Sequence, residues 1–367
     1  MKKASIIGIG KLGLCFALTL EKAGYNVLGV DLDKNHVDDI NNKTFISTEP
    51  GVNLALRSSK NFKATTSIQE AIDFSDILFI LVATPSLSNG KYNHAAVDSV
   101  AEQLIKLPTP CNKKQFIIGC TVMPGYSNKL AGVLSDFNYD VSYNPEFIAQ
   151  GSILNDQLKP DMILIGEANK NAGDIIETVY NDMCINRPCI ERMDPLSAEI
   201  TKISLNCFLT TKITFANMVG DIAIKSGANQ DAILKAIGGD SRVGPKYLKY
   251  GFGFGGPCFP RDNRALYIYA DEINYDAKIS KIVDSTNKYH LEFQIDQFIK
   301  NYKDTSIPVV IENVTYKPNT EILEESQQLL FAIGLAKTGI KVIIKENKNV
   351  VEKLKSLYNG LFEYEYK

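Results

Sequence analysis

The apolar positions follow two regimes that meet near Pro195. Upstream, short continuous apolar runs alternate with segments of helical period. Residues 5–7, 26–31, 77–82, 115–119 and 162–166 read as strands, and 12–22, 97–105 and 129–134 as helices. Apolar runs without polar alternation suit a parallel sheet buried on both faces. Residues 1–190 are therefore expected to form a doubly wound α/β domain with its ligands at the carboxyl ends of the strands. Downstream, residues 196–219 contain neither Gly nor Pro and repeat at helical spacing, so one long helix is expected there and a second over 230–237. Together they define a central helical region over 191–300. Residues 301–367 read as a small α/β piece: strand 308–311, helix 325–337, strand 340–345 and a terminal edge strand alternating with period two over 362–367.

Composition narrows the function. The 40 basic and 42 acidic residues leave a net charge of −2, which gives no reason to expect a nucleic-acid or membrane partner. With 45% hydrophobic and 22% charged residues, the chain reads as an ordinary soluble protein. The N-terminus, Met1-Lys2-Lys3, begins like a signal peptide but reaches a glycine turn after a few apolar residues. No secretory core and no long apolar span follow, so a cytoplasmic location is expected. The seven cysteines are odd in number and scattered, with no metal-binding spacing, and read as reduced thiols.

The first strand runs into Gly8-Ile9-Gly10-Lys11-Leu12-Gly13, then a helix, then a second strand ending in Asp31. This order is the dinucleotide-binding unit: Gly8 for the tight turn, Gly10 for close approach to a pyrophosphate, Gly13 for helix–strand packing. Asp31 would accept a hydrogen bond from a ribose hydroxyl and repel a 2′-phosphate, so NAD is expected rather than NADP. Thr84-Pro85 and Thr121 each follow a strand at the ligand-facing edge, where a turn or cap is their ordinary role. On the long helix, Glu199, Lys202, Asn206 and Thr210 share a face that suits either a solvated stripe or a polar pocket wall. Cys258 ends the run Gly251-Phe252-Gly253-Phe254-Gly255-Gly256-Pro257, with Arg261 and Asp262 close behind. A buried cysteine gains nothing from such flexible neighbours, whereas a reactive thiol gains access.

These motifs, with Glu49-Pro50-Gly51, Cys120-Thr121-Val122-Met123-Pro124-Gly125, Asn144-Pro145-Glu146-Phe147 and Asp240-Ser241-Arg242-Val243-Gly244, resemble the nucleotide-sugar 6-dehydrogenases of the UDP-glucose/GDP-mannose dehydrogenase family. The resemblance runs in the family's order and covers nearly the whole chain. It implies oxidation of a primary alcohol to a carboxylate in two steps with NAD, through a thiohemiacetal and a thioester on Cys258. It assigns Lys202 and Asn206 to the oxyanion, Asp262 and Thr121 to the water or reacting hydroxyl, and Glu146 to the base. It also places Lys11, Leu12, Thr84 and Pro85 on the cofactor, and Phe147, Tyr250, Gly255 and Lys317 on the nucleotide sugar. Arg242 is implied to reach the substrate of the other subunit in a homodimer built on the long helix.

The run from Phe254 to Pro260 is more similar to the UDP-glucose branch than to the GDP-mannose or UDP-N-acetylhexosamine branches. A β-hydroxyacid-type dehydrogenase, or a catalytically weakened nucleotide-sugar-binding protein, are the rival readings. Three departures from the family stand out: Gln150 in place of a second glutamate, Glu324 in place of an arginine before Glu325-Ser326, and a short C-terminal piece. None of the three histidines (36, 94, 290) lies in a motif, which leaves lysine and carboxylates for proton transfer.

Overall fold

Packing divides the chain into two units, Met1–Lys202 and Ile203–Lys367. The computed structural model describes residues 2–302, 307–318 and 320–367; Asn319, in the motif that holds Lys317, and Met1 lie outside the described residues.

In the first unit the apolar runs form strands β1 (Lys3–Ile7), β2 (Asn26–Val30), β3 (Phe62–Thr65), β4 (Ile77–Ile80), β5 (Lys114–Ile118), β6 (Tyr139–Tyr143), β7 (Met162–Gly166) and β8 (Cys189–Met193). They make one sheet in the order β3-β2-β1-β4-β5-β6-β7-β8. Helices α1 (Lys11–Lys22), α2 (Lys34–Asn42), α3 (Val52–Ser58), α4 (Ile68–Phe74), α5 (Ala95–Lys106), α6 (Tyr126–Leu134), α7 (Ile153–Leu158) and α8 (Lys170–Met183) cover it. One face packs Phe16 of α1 and Ile176 of α8 against Ile6 and Phe79. The other packs Val97 of α5 and Leu130 of α6 against Ile80 and Phe116. Burial on both faces explains why the central strands lack polar alternation.

The expected all-parallel sheet is corrected at one junction: β7 runs antiparallel to β6, meeting it at Tyr143 and Gly166. The chain leaves β6, makes the short α7 against α1, and re-enters beside the end it left, so no crossover is formed. The apolar pattern did not mark β3, β6 and β8, because Lys63, Asp140, Ser142, Glu191 and Arg192 interrupt them.

The turn between β1 and α1 is unusually close. A Cβ on Gly13 would lie 1.9 Å from the Gly8 carbonyl oxygen, so only glycine lets the helix start this near the strand.

Helix α9 (Pro195–Ser226) begins in the first unit and continues through the second. The expectation of no long apolar span is corrected here. By length and composition alone α9 could cross a membrane. Yet Glu199, Lys202, Thr210, Asn217 and Asp221 on it are buried among protein groups, which marks a packed helix with a polar face. That burial of Glu199, Lys202 and Thr210 rules out a solvated stripe along their face.

The second unit continues with α10 (Gln230–Gly238), α11 (Phe259–Glu272), α12 (Lys278–Asn301), β9 (Val309–Glu312), α13 (Gln327–Lys337), β10 (Val342–Glu346), α14 (Lys348–Leu357) and β11 (Glu363–Tyr366). The three strands form a parallel sheet in the order β11-β10-β9, with β11 at its edge as the alternation predicted. Its core joins Leu329 and Leu335 of α13 to Ile344 and to Val350 and Leu354 of α14. The apolar pattern had no counterpart for α11, α12 and α14. On α12 the apolar side chains Ile279 and Ile282 are exposed, so no single apolar stripe signals the helix.

We expect Gly13→Ala to overpack the turn against the backbone. It should lower unfolding stability by about 1–3 kcal/mol in urea titrations and weaken NAD binding in the same protein.

Candidate active site

At the carboxyl edge of the first sheet, the Gly8–Gly13 turn is tied down by Gly8 N–H donating to Val30 O (2.8 Å) and by Leu81 N–H donating to Ile7 O (2.8 Å). α1 starts at Gly10 with no side-chain cap, and a Cβ on Gly10 would meet nothing within 4 Å. The first backbone N–H groups of this helix have no side-chain cap, and Gly10 leaves room beside them for a pyrophosphate. Asp31 directly follows β2, and its Oδ1 accepts from Asp33 N–H (3.1 Å). These residues fit a dinucleotide. Thr84 and Thr121 meet at the same edge, where the Thr84 hydroxyl donates to Thr121 O (2.7 Å).

The loops around this edge are fixed by buried side chains. Both oxygens of Glu49 accept backbone N–H groups, from Gly151 (2.9 Å) and Ile153 (2.8 Å). Both oxygens of Glu199 do the same for Gly125 (2.5 Å) and Ser127 (2.8 Å), just past Thr121. Burial raises the Glu199 carboxyl above its ordinary range, and the hydrogen bonds from Ser127 and Gly125 oppose that rise. Glu146 is partly buried, and desolvation pushes its carboxyl up to about 7, against the lowering effects of Tyr180 and Lys202. The Tyr180 oxygen lies 3.3 Å from Glu146 Oε1 and 2.7 Å from Asn144 Oδ1. Lys202 Nζ sits 4.4 Å from the Phe147 ring centre, so the Asn144–Phe147 motif and the α9 lysine come together.

In the second unit Cys258 is exposed and stands at the N-cap of α11. Its carbonyl accepts from Asp262 N–H (2.8 Å). Asp262 is 1% exposed and its Oδ2 accepts from Asn206 Nδ2 (2.7 Å), so two of the residues singled out in the sequence are directly bonded. The glycine run packs on the segment before α13. A Cβ on Gly255 would lie 2.2 Å from Glu325 O, and Gly256 N–H donates to Glu324 O (3.1 Å). Glu325 takes φ +46 and is gripped by both arms of Arg264 from α11 (2.5 and 2.9 Å). Tyr250 donates its hydroxyl to Asp221 Oδ1 (2.9 Å). Arg242 is exposed and folds back onto Asp240 (2.7 Å). The Lys317 carbonyl accepts from Thr315 and Thr320 (3.0 and 2.8 Å).

Two family descriptions match in succession: the NAD-binding domain of the UDP-glucose/GDP-mannose dehydrogenase family over residues 2–184, and its central domain over 196–289. The UDP-glucose 6-dehydrogenase TuaD of Bacillus subtilis is 31% identical over 360 residues, covering 93% of this chain and 75% of its own. The chain belongs to the UDP-glucose/GDP-mannose dehydrogenase family. It is an NAD-dependent nucleotide-sugar dehydrogenase. A GDP-mannose 6-dehydrogenase of Pseudomonas savastanoi is 29% identical, covering 93% of this chain and 80% of its own. The solved UDP-glucose dehydrogenase of the archaeon Pyrobaculum islandicum superposes with a TM-score of 0.89 at 28% identity, over all of this chain and 86% of that one.

Against the family pattern, Gln150 accepts from Lys11 Nζ (3.2 Å), an amide oxygen where the family places a carboxylate. Glu324 is exposed. Sequence reading missed the histidines. His36 Nε2 lies 2.9 Å from Ile9 O in the glycine turn, and His94 Nε2 accepts from Met123 N–H (3.1 Å). His290 Nε2 lies 2.7 Å from Gly251 O. Each ring touches the backbone of a motif loop, and no spacing in the sequence could reveal this.

Burial lowers His94 from an ordinary 6.5 to about 4, consistent with a neutral ring that accepts from Met123. A histidine depressed in the folded state contributes stability above its unfolded value and loses it on acidification. We expect stability to fall as the pH drops from 6.5 toward about 4. In His94→Gln, whose amide oxygen can still accept, that slope should be flatter in urea midpoints measured across the range.

Proposed function

We propose that the chain oxidises UDP-glucose to UDP-glucuronate, with Cys258 as the covalent arm of the reaction. The observation that carries this reading is the Asn206–Asp262 hydrogen bond one helical turn beyond Cys258. It holds an amide donor, a buried carboxylate and an exposed thiol in one small region of the second unit. The N-terminus of α11 favours negative charge at Cys258, and thus its thiolate.

Gly8, Gly10, Lys11, Leu12, Gly13, Asp31, Thr84, Pro85 and Thr121 would hold the cofactor. NAD⁺ supplies the two-electron acceptor for each of two oxidations. The Cys258 thiolate adds to the aldehyde carbon to form a thiohemiacetal, which keeps the aldehyde from escaping. Oxidation of that adduct leaves a thioester on Cys258. Water cleaves it, releasing the carboxylate and restoring the thiol. Lys202 and Asn206 donate to the oxygen on which negative charge develops. Asp262 and Thr121 orient the hydroxyl or the water, and Glu146 takes the proton from the attacking water. A carboxyl at about 7 is half ionised near neutrality, where a general base works best.

Phe147, Tyr250, Gly255 and Lys317 serve the nucleotide sugar. Arg242 serves the partner subunit's substrate in a homodimer. The exposed apolar residues Phe208, Phe215, Met218 and Ile222, spaced along α9, support such a dimer. The run Phe254-Gly255-Gly256 and the relatives named for UDP-glucose support glucose over mannose.

Incubated with NAD⁺ and UDP-glucose, GDP-mannose or a UDP-N-acetylhexosamine in turn, the enzyme should turn over UDP-glucose fastest and form about two NADH per sugar. Cys258→Ser should form no acid; acid produced at the normal rate would remove the covalent step. In the wild type, kcat should rise with pH through about 7 as Glu146 ionises. Glu146→Gln should lack that limb and run roughly 10²–10⁴-fold slower.

A further inference from the structure

His290 is 2% exposed and lies on α12. Its Nδ1 is 2.8 Å from Asp221 Oδ2 of α9, and its Nε2 is 2.7 Å from the carbonyl oxygen of Gly251, the first residue of the cysteine loop. Both neighbours are acceptors. A neutral imidazole carries one N–H and would set a bare lone pair against one of them. Both acceptors are also engaged elsewhere. Asp221 Oδ1 already accepts from Tyr250, and Gly251 O also accepts from Gln294 Nε2 (3.0 Å). The titratable groups facing the ring are Asp221 from α9 and Tyr250 from the loop, whose ring stands edge-on to it at 5.5 Å. The Tyr250 hydroxyl is directed at Asp221 and supplies no proton to the ring; only a proton on Asp221 itself would, and that neutral pair leaves one ring nitrogen without hydrogen.

We propose that His290 is an imidazolium balanced by Asp221, and that this charged pin is the positioning residue of the Cys258 loop. The loop is stitched to the same two helices just beyond it. Asn217 of α9 accepts from Gly251 N–H (3.1 Å), and Asn287 of α12 both accepts from Phe254 N–H and donates to Phe254 O (2.9 Å each). His290 is the only member of this clamp whose bonds need a net charge, so its protonation decides whether one ring bridges Asp221 of α9 to the Gly251 carbonyl. The role rests on the reading of Cys258 as nucleophile; the charge state does not.

The chain has three histidines, so ¹⁵N-imidazole correlation spectra of the full-length protein resolve each ring, with His36→Gln and His94→Gln to assign them. At neutral pH, His290 should show two protonated nitrogens and His94 a bare Nε2. An unprotonated nitrogen on His290 overturns the proposal. His290→Gln should lower kcat with the nucleotide sugar by about ten- to a hundredfold and leave the KM for NAD⁺ near its wild-type value. Wild-type kcat in that variant, with NAD⁺ binding intact, also overturns it. Asp221→Asn provides a second route if His290→Gln does not fold: it should return His290 to a neutral ring with the same loss of kcat. Acid formation by Cys258→Ser would defeat the covalent reading but leave the His290 spectrum as it is.

Discussion

The cofactor edge of the first unit depends on how closely α1 approaches β1 at Gly13. With no side chain between Gly13 and the Gly8 carbonyl, the helix begins at the carboxyl end of the central strand, without a side-chain cap and with open space beside Gly10. Neighbouring strands deliver Asp31, Thr84 and Thr121 to the same edge, because parallel strands all end there. A bulkier residue would shift the helix away, and the cradle with it.

A second constraint runs through both units: irregular backbone near a ligand must still satisfy its polar groups. Here ionisable or titrating side chains do that work. Glu49 and Glu199 each close two N–H groups, His94 closes one, and Asp221 with His290 secures the start of the cysteine loop. Burying such groups is unfavourable unless every bond is made, so these anchors hold their loops in one arrangement. Glu146 differs from them. It lies among groups that leave its carboxyl near neutrality, which suits a residue that must gain and lose a proton rather than hold a loop.

Much of this was legible in the sequence, for physical reasons. Strands buried on both faces announce themselves as apolar runs, and the glycine turn has one spacing that works, so the central strands β1, β2, β4 and β5 and the cradle could be read. The reversal at β7 could not, because a strand's apolar run carries no direction. The bond between Asn206 and Asp262 joins residues 56 apart in sequence, and helix periodicity showed only that Asn206 shares a face with Lys202. The histidine anchors were invisible for the same reason: each acts on a backbone atom at least 27 residues away, where no side-chain pattern marks the partner.

Arg264 holds Glu325 in a left-handed conformation, and the carbonyls of Glu324 and Glu325 press against Gly256 and Gly255. The helix that starts at Cys258 is thus tied to the strand-and-helix piece beyond it by both a charged fork and backbone contact. Neither can open without breaking the other's bonds. The opening of the first turn of α11 is therefore coupled to that of the segment before α13. The local stability of the thiol's surroundings is therefore set partly by a hydrophobic core far along the chain, around Leu329, Leu335 and Ile344.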